Sequence, residues 1–167
     1  MLGRLCCFSK KIKKQAAFTL IELLIVISII AILIAVIFAT LNPLRLFAES
    51  RNAQRWMQTS ELLTAIHVYV IQNLGKVPNQ EDWREGIHYM LGTGTSGCNV
   101  DCGGFTTSGE CLNLTDLVEE KHISAIPQDP ENGNAQKTGI YVYREEGTII
   151  TVGMCNDELG ENISLTR

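Results

Sequence analysis

Residues 18–41 read FTLIELLIVISIIAILIAVIFATL, apolar on every side, with no Gly, no Pro and no basic residue. The run predicts a helix of about 36 Å, enough to cross a hydrocarbon core of about 30 Å. The rival is a buried core helix, but such helices seldom run this long without polar relief. At Asn42-Pro43 the missing proline donor predicts a kink or short break, with helix resuming at once. Residues 44–58 are polar with scattered apolar positions, and their charges are expected to face solvent or neighbouring molecules. From Leu62 the pattern sharpens: Leu63, Ile66 and Val70 share one stripe, flanked by Leu62, Tyr69 and Leu74. This half should dock on a sheet before Gly75 and Pro78 stop the helix. Unbroken, the two halves would make a rod of about 85 Å.

The remainder is patterned differently. Residues 76–111 read as loop, with Trp83, Ile87, Tyr89 and Met90 available to cover one end of a core. Residues 112–123 suit one short helix, capped by Asn113 or Thr115, with Asp116 near its start. A turn segment, Ile126-Pro127-Gln128-Asp129-Pro130, follows. Residues 139–145 and 148–154 read as strands joined around Glu146-Gly147. Pairing about that turn sets Tyr143 opposite Ile150 and Tyr141 opposite Val152, and this face is expected against the helix. Residues 162–165 offer a third strand. The fold class is α+β: a long amino-terminal helix, half membrane-spanning and half amphipathic, packed on a small antiparallel sheet.

Charge adds an orientation. The formal net charge of −4 hides a leader, residues 1–17, with Arg4, Lys10, Lys11, Lys13, Lys14 and no acid. A basic cluster ahead of a span marks the cytoplasmic side, which puts the body outside the cytoplasm. The acidic body argues against a nucleic-acid-binding surface. Cys98, Cys102, Cys111 and Cys155 all fall in the body, an even number suited to two disulfides in an oxidising compartment. Three pairings are possible and the sequence does not choose. Zinc is the rival use of these cysteines, but there are no CxxC pairs.

Glu22 is the one charge in residues 18–41. A carboxylate within a membrane costs about 2.5–3.5 kcal/mol on insertion scales, so it requires a partner. With no Lys, Arg or His in the span, the partner must come from another chain, a chain terminus or a shallow position near the headgroups. The small pair Ala16-Ala17 lies before the apolar run, not after it as in a secretory signal peptide. Cleavage there would remove the charges and keep the helix.

KKQAAFTLIELL resembles the signature of type IV prepilins and type II secretion pseudopilins. The resemblance implies cleavage by a prepilin peptidase between Ala17 and Phe18, where the family usually has Gly before the cut. It also implies N-methylation of Phe18. It implies that Glu22 attracts the Phe18 amine of a neighbouring subunit during assembly, which would set axial register. The Gly/Pro stop and the I/LP-x-DP segment before the sheet resemble the same family. The organisation expected is a leader at 1–17, a transmembrane and filament-core helix at 18–41, an amphipathic half at 42–75, and a disulfide-stapled head at 76–167. Pro43, the expected helix kink, reads equally as a flex point of a filament subunit and as an ordinary helix restart at the membrane surface. The expected partners are other copies of the chain, the peptidase, an inner-membrane assembly platform and the membrane itself. The helix would sit in the cytoplasmic membrane with its amino end inside, before the subunit enters a surface or periplasmic filament.

No catalytic set, metal site or cofactor fingerprint is expected: His67, His88 and His122 are dispersed. Gly92 to Gly97 lacks the Lys-Ser/Thr of a phosphate loop. Asp129, Glu131, Asp157, Glu158 and Glu161 match no defensible calcium loop, although some major pseudopilins bind calcium near the carboxy terminus. Solvated charge is the expectation for these acids. The alternative to a filament subunit is an uncleaved, single-pass anchored extracytoplasmic binding domain, for which Glu22 has no use.

Overall fold

The computed structural model describes residues 18–167. The leader at 1–17, including Ala17 and its cleavage expectation, lies outside the described residues. Thr19 is extended and caps helix α1, Leu20–Thr40. The helix has an apolar surface all round, and none of its residues is buried. Leu41 returns to extended backbone (φ −95, ψ 135). Helix α2, Pro43–Gln72, then begins on the proline, which at a first helical position needs no N–H partner and brings a suitable φ. The break expected at Asn42-Pro43 thus separates two helices, and the chain divides into two compact units after Asn42.

Within the second unit, α2 buries Ala48, Asn52, Arg55, Thr59, Leu62, Ile66 and Val70, spaced by threes and fours as one helical face requires. Its carboxy-terminal half packs Leu62, Leu63, Ile66 and Val70 against a four-stranded antiparallel sheet. The strands are β1 (His88–Met90), β2 (Ile140–Arg144), β3 (Ile150–Met154) and β4 (Ser164–Thr166), in that spatial order. Ile140, Val142, Ile150 and Val152 form the core face, closed by Trp83, Leu112, Leu114, Leu117 and Ile163. Each such fully buried aliphatic side chain contributes about 1.5–3 kcal/mol.

Three details depart from the sequence expectations. β1 lies inside the stretch read as loop: three residues give too little alternation to register as a strand. The short helix α3 spans only Asp116–Glu119, because Leu112 is engaged in a bridge with Leu91. The central hairpin is displaced by one residue. Tyr143 faces Thr151, Tyr141 faces Gly153, and Val142 faces Val152. The cause is the turn. Glu145 N–H donates to the Ile149 carbonyl at 3.0 Å, so three residues close the loop instead of two, with Gly147 at φ 91. A one-residue shift exchanges the faces of a strand. Ile140 and Val142 consequently take the helix side, and both tyrosines take the outer side.

On that outer face, His88 stacks between Phe105 and Tyr143, with ring centroids 3.9 and 4.3 Å away. The ring end of Tyr141 lies over Gly153, where any side chain would collide with it. The disulfides are Cys98–Cys111 and Cys102–Cys155. They hold the loop carrying Phe105 along the β1 edge, where Ser108 and Leu112 N–H groups bond the His88 and Met90 carbonyls at 2.8 Å.

Candidate assembly site and the ionic joint of the head

Glu22 stands in the first turn of α1 and has a partner on its own chain. Its carboxylate accepts the Thr19 backbone N–H at 3.0 Å and the Thr19 hydroxyl at 2.9 Å. In return Glu22 N–H donates to the Thr19 hydroxyl oxygen at 3.2 Å. This reciprocal capping box satisfies two donors that a helix start leaves orphaned and brings the acid to the positive end of the helix dipole. The Thr-x-x-Glu spacing was legible in the sequence, although the search for a cationic partner passes over it. The other polar groups of α1 also bond inward: the Ser28 hydroxyl donates to the Leu24 carbonyl at 2.7 Å, and Thr40 donates to Val36 at 3.1 Å. Phe18 precedes the cap and is exposed. The result is a helix with an uncovered apolar surface and one acid at its amino end.

The second unit handles charge differently. Arg55 is completely buried. It donates to Asp129 at 2.6 and 3.3 Å, to Glu158 at 2.8 Å and to the Asn52 side-chain oxygen at 2.9 Å. Arg51 forms a two-toothed pair with Glu158 at 2.6 and 2.5 Å. Burial works against the Arg55 charge, but the bonds to Asp129 and Glu158 outweigh it and raise its pKa. Burial likewise pushes the Asp129 carboxyl up, and the Arg55 bond with the backbone N–H groups of Asn132 and Glu131 brings it below its ordinary value. The bonds from Arg51 and Arg55 hold Glu158 at about 2.

This joint ties α2 to the segment before β2 and to the loop after β3. It corrects two expectations: Arg51 and Arg55 do not face open solvent, and Asp129 and Glu158 are paired acids, not solvated ones. The missed signal was the spacing of Asn52, Arg55 and Thr59, which extends the apolar stripe of α2 toward its start.

The model of the prokaryotic N-terminal methylation motif matches residues 12–38. No curated protein and no solved structure matches the chain. The matched stretch contains Phe18, Thr19 and Glu22, and most of α1. With a long apolar helix ahead of an α+β head, the motif fits a single-pass membrane-anchored protein of a structural class that is typically non-enzymatic. At its amino end the chain carries the signature of the type IV pilin and pseudopilin prepilins.

Proposed function

We propose that the chain is a structural subunit of a type IV pilus or pseudopilus filament, cut between Ala17 and Phe18 and methylated on the new Phe18 amine. The leader stays in the cytoplasm and the head lies outside. An assembly platform in the inner membrane draws the subunit from the bilayer into a surface or periplasmic filament. There it serves adhesion, motility, DNA uptake or secretion. One observation carries the reading: the apolar helix of the methylation motif has no buried residue and bears a single carboxylate in its first turn. Such a helix requires lipid or other copies around it. In the filament Glu22 would exchange part of its bonding to Thr19 for the Phe18 amine of the next subunit, a charge pair that lipid alone does not supply.

The capping box favours a second reading. Because Thr19 already satisfies Glu22, a plain membrane anchor for an extracytoplasmic domain could tolerate the acid. The two readings part in one experiment. The full chain is co-expressed with a prepilin peptidase and an assembly machinery, and the mature amino terminus is read by mass spectrometry. The filament reading expects a product beginning at methylated Phe18, and filaments that disappear in Glu22→Leu at unchanged membrane insertion. An intact leader, or no filaments from the unsubstituted chain, overturns it in favour of the anchored domain, whereas filaments of normal number from the Leu variant remove the assembly role of Glu22.

A further inference from the structure

The face of α2 turned away from the core is not uniformly polar. Across the helix from Leu62 and Ile66 stand Met57, Val68 and Ile71, with Met57 and Ile71 more than two-thirds exposed. Leu74 follows just past the helix end and is 95 % exposed. Its backbone is left-handed, at φ 57, in the helix-closing position ordinarily taken by glycine. Behind it Gly75 N–H donates to the Val70 carbonyl at 2.8 Å. A branched side chain held in that conformation gains no burial within its own head. Strain of this kind, at a protruding apolar group, points to a contact outside the chain.

The same helix offers a seat. A shallow groove of about 650 Å³ runs along its outer side, lined by Trp56, Met57, Glu61, Thr64, Val68 and His122. Knob and groove carry opposite charges. Lys76 is exposed two residues beyond Leu74, and Glu61 is exposed on the groove wall. Neither takes part in a salt bridge among the described residues.

We infer that the knob formed by Ile71 and Leu74 of one copy seats in the groove between Trp56 and Val68 of a second copy, with Lys76 of the first meeting Glu61 of the second. Because knob and groove are different patches, each contact leaves one knob and one groove free for further copies. A contact of this kind extends without closing. It buries Leu74, Ile71 and Met57 together and gives the exposed leucine its return. The inference rests on the filament reading and adds to it a contact made by the heads, separate from Glu22.

The test uses the full chain in cells that assemble it. A photo-reactive benzoylphenylalanine is placed at Leu74, and in a second chain at Ile71, which is free of the left-handed backbone. Irradiated filaments should yield a covalent dimer whose joined peptide comes from residues 56–68 of the other copy. Lys76→Glu or Glu61→Lys alone should lower that dimer about two- to fivefold, and the two together should restore it. Filaments that give no dimer from either probe overturn the inference while leaving the filament reading intact. So do dimers joined elsewhere, such as at the apolar recess of Leu91, Leu112 and Val118. Absence of filaments from the unsubstituted chain removes both.

Discussion

Glu22 and Arg55 are each a single charge on the apolar side of a helix, and the protein treats them in opposite ways. Arg55 is closed in by its own chain: Asp129, Glu158 and, at 3.8 Å, Glu131 pair with it, the Asn52 amide oxygen accepts from it, and none of its surface is exposed. Glu22 is left with one threonine and an exposed helix surface. A completed ion group fixes a shape, since its members have nothing left to bind. An incompletely surrounded acid on an uncovered helix keeps the capacity to take a further partner. The first unit is thus built for exchange of surroundings, and the second for permanence.

The comparison breaks most completely at Glu22. Glu22→Leu should abolish filaments, counted by electron microscopy, while the membrane-bound fraction stays level. If Glu22 were a second Arg55, serving only internal structure, filaments would survive in a less stable subunit. Next in size is Arg55→Leu, which strands the buried Asp129 carboxylate. The head should lose about 3–5 kcal/mol, read by denaturant unfolding of the detergent-solubilised chain. Removing both charges at once, with Arg55→Met and Asp129→Leu, should lose much less, because neither then remains unpaired.

The disulfides sharpen the contrast within the head. Cys102–Cys155 closes a separation of 53 residues and Cys98–Cys111 one of 13. On the chain-entropy account, loss of the longer link should destabilise by about 1 kcal/mol more than loss of the shorter, measured on the paired Cys→Ser variants.

Acid should affect the joint through its carboxylates. Glu158 and Asp129 are held below their ordinary values in the folded head. In the unfolded chain they take up protons first as pH falls. The contribution of Glu158 is therefore present above about pH 4.5 and is lost progressively toward about pH 2, and that of Asp129 is lost in the same direction as pH falls. The unfolding midpoint of the full chain should drop across that window, and should drop less in the Arg55→Met, Asp129→Leu variant. The smallest effect is expected at Thr19→Val. It removes the hydroxyl from the Glu22 cap at a cost of about 1 kcal/mol in helix stability, and it leaves the backbone N–H bond to Glu22 in place. Circular dichroism of the chain in micelles measures it.

Much of this was legible without coordinates, for reasons that differ by region. The apolar run, its acid and the break at Pro43 depend on neighbours only one to four residues away, so composition and spacing settle them. The stripe of Leu63, Ile66 and Val70 is likewise a property of helix period. The reach of that stripe toward Arg55 was hidden because a charged residue on a buried face is explained only by Asp129 and Glu158, which lie 74 and 103 residues away. β1 was hidden because three residues become a strand only where β2 and the disulfide-held loop supply partners on both sides.

The hairpin marks the boundary between the two kinds of information. Alternation predicted strands at residues 139–145 and 148–154, and the structure has them at 140–144 and 150–154. Alternation has two phases, however, and it cannot say which phase faces the helix. Closure of the Glu145 to Ile149 turn by three residues decided that, turning Val142 and Val152 inward and Tyr141 and Tyr143 outward. The sequence by itself determined the two long helical segments, the central strand pair and the apolar helix with its acid, because these follow from local geometry and hydropathy. The tertiary structure alone decided the register, the pairing of the four cysteines and the burial of Arg55, because each requires segments far apart in the chain to meet.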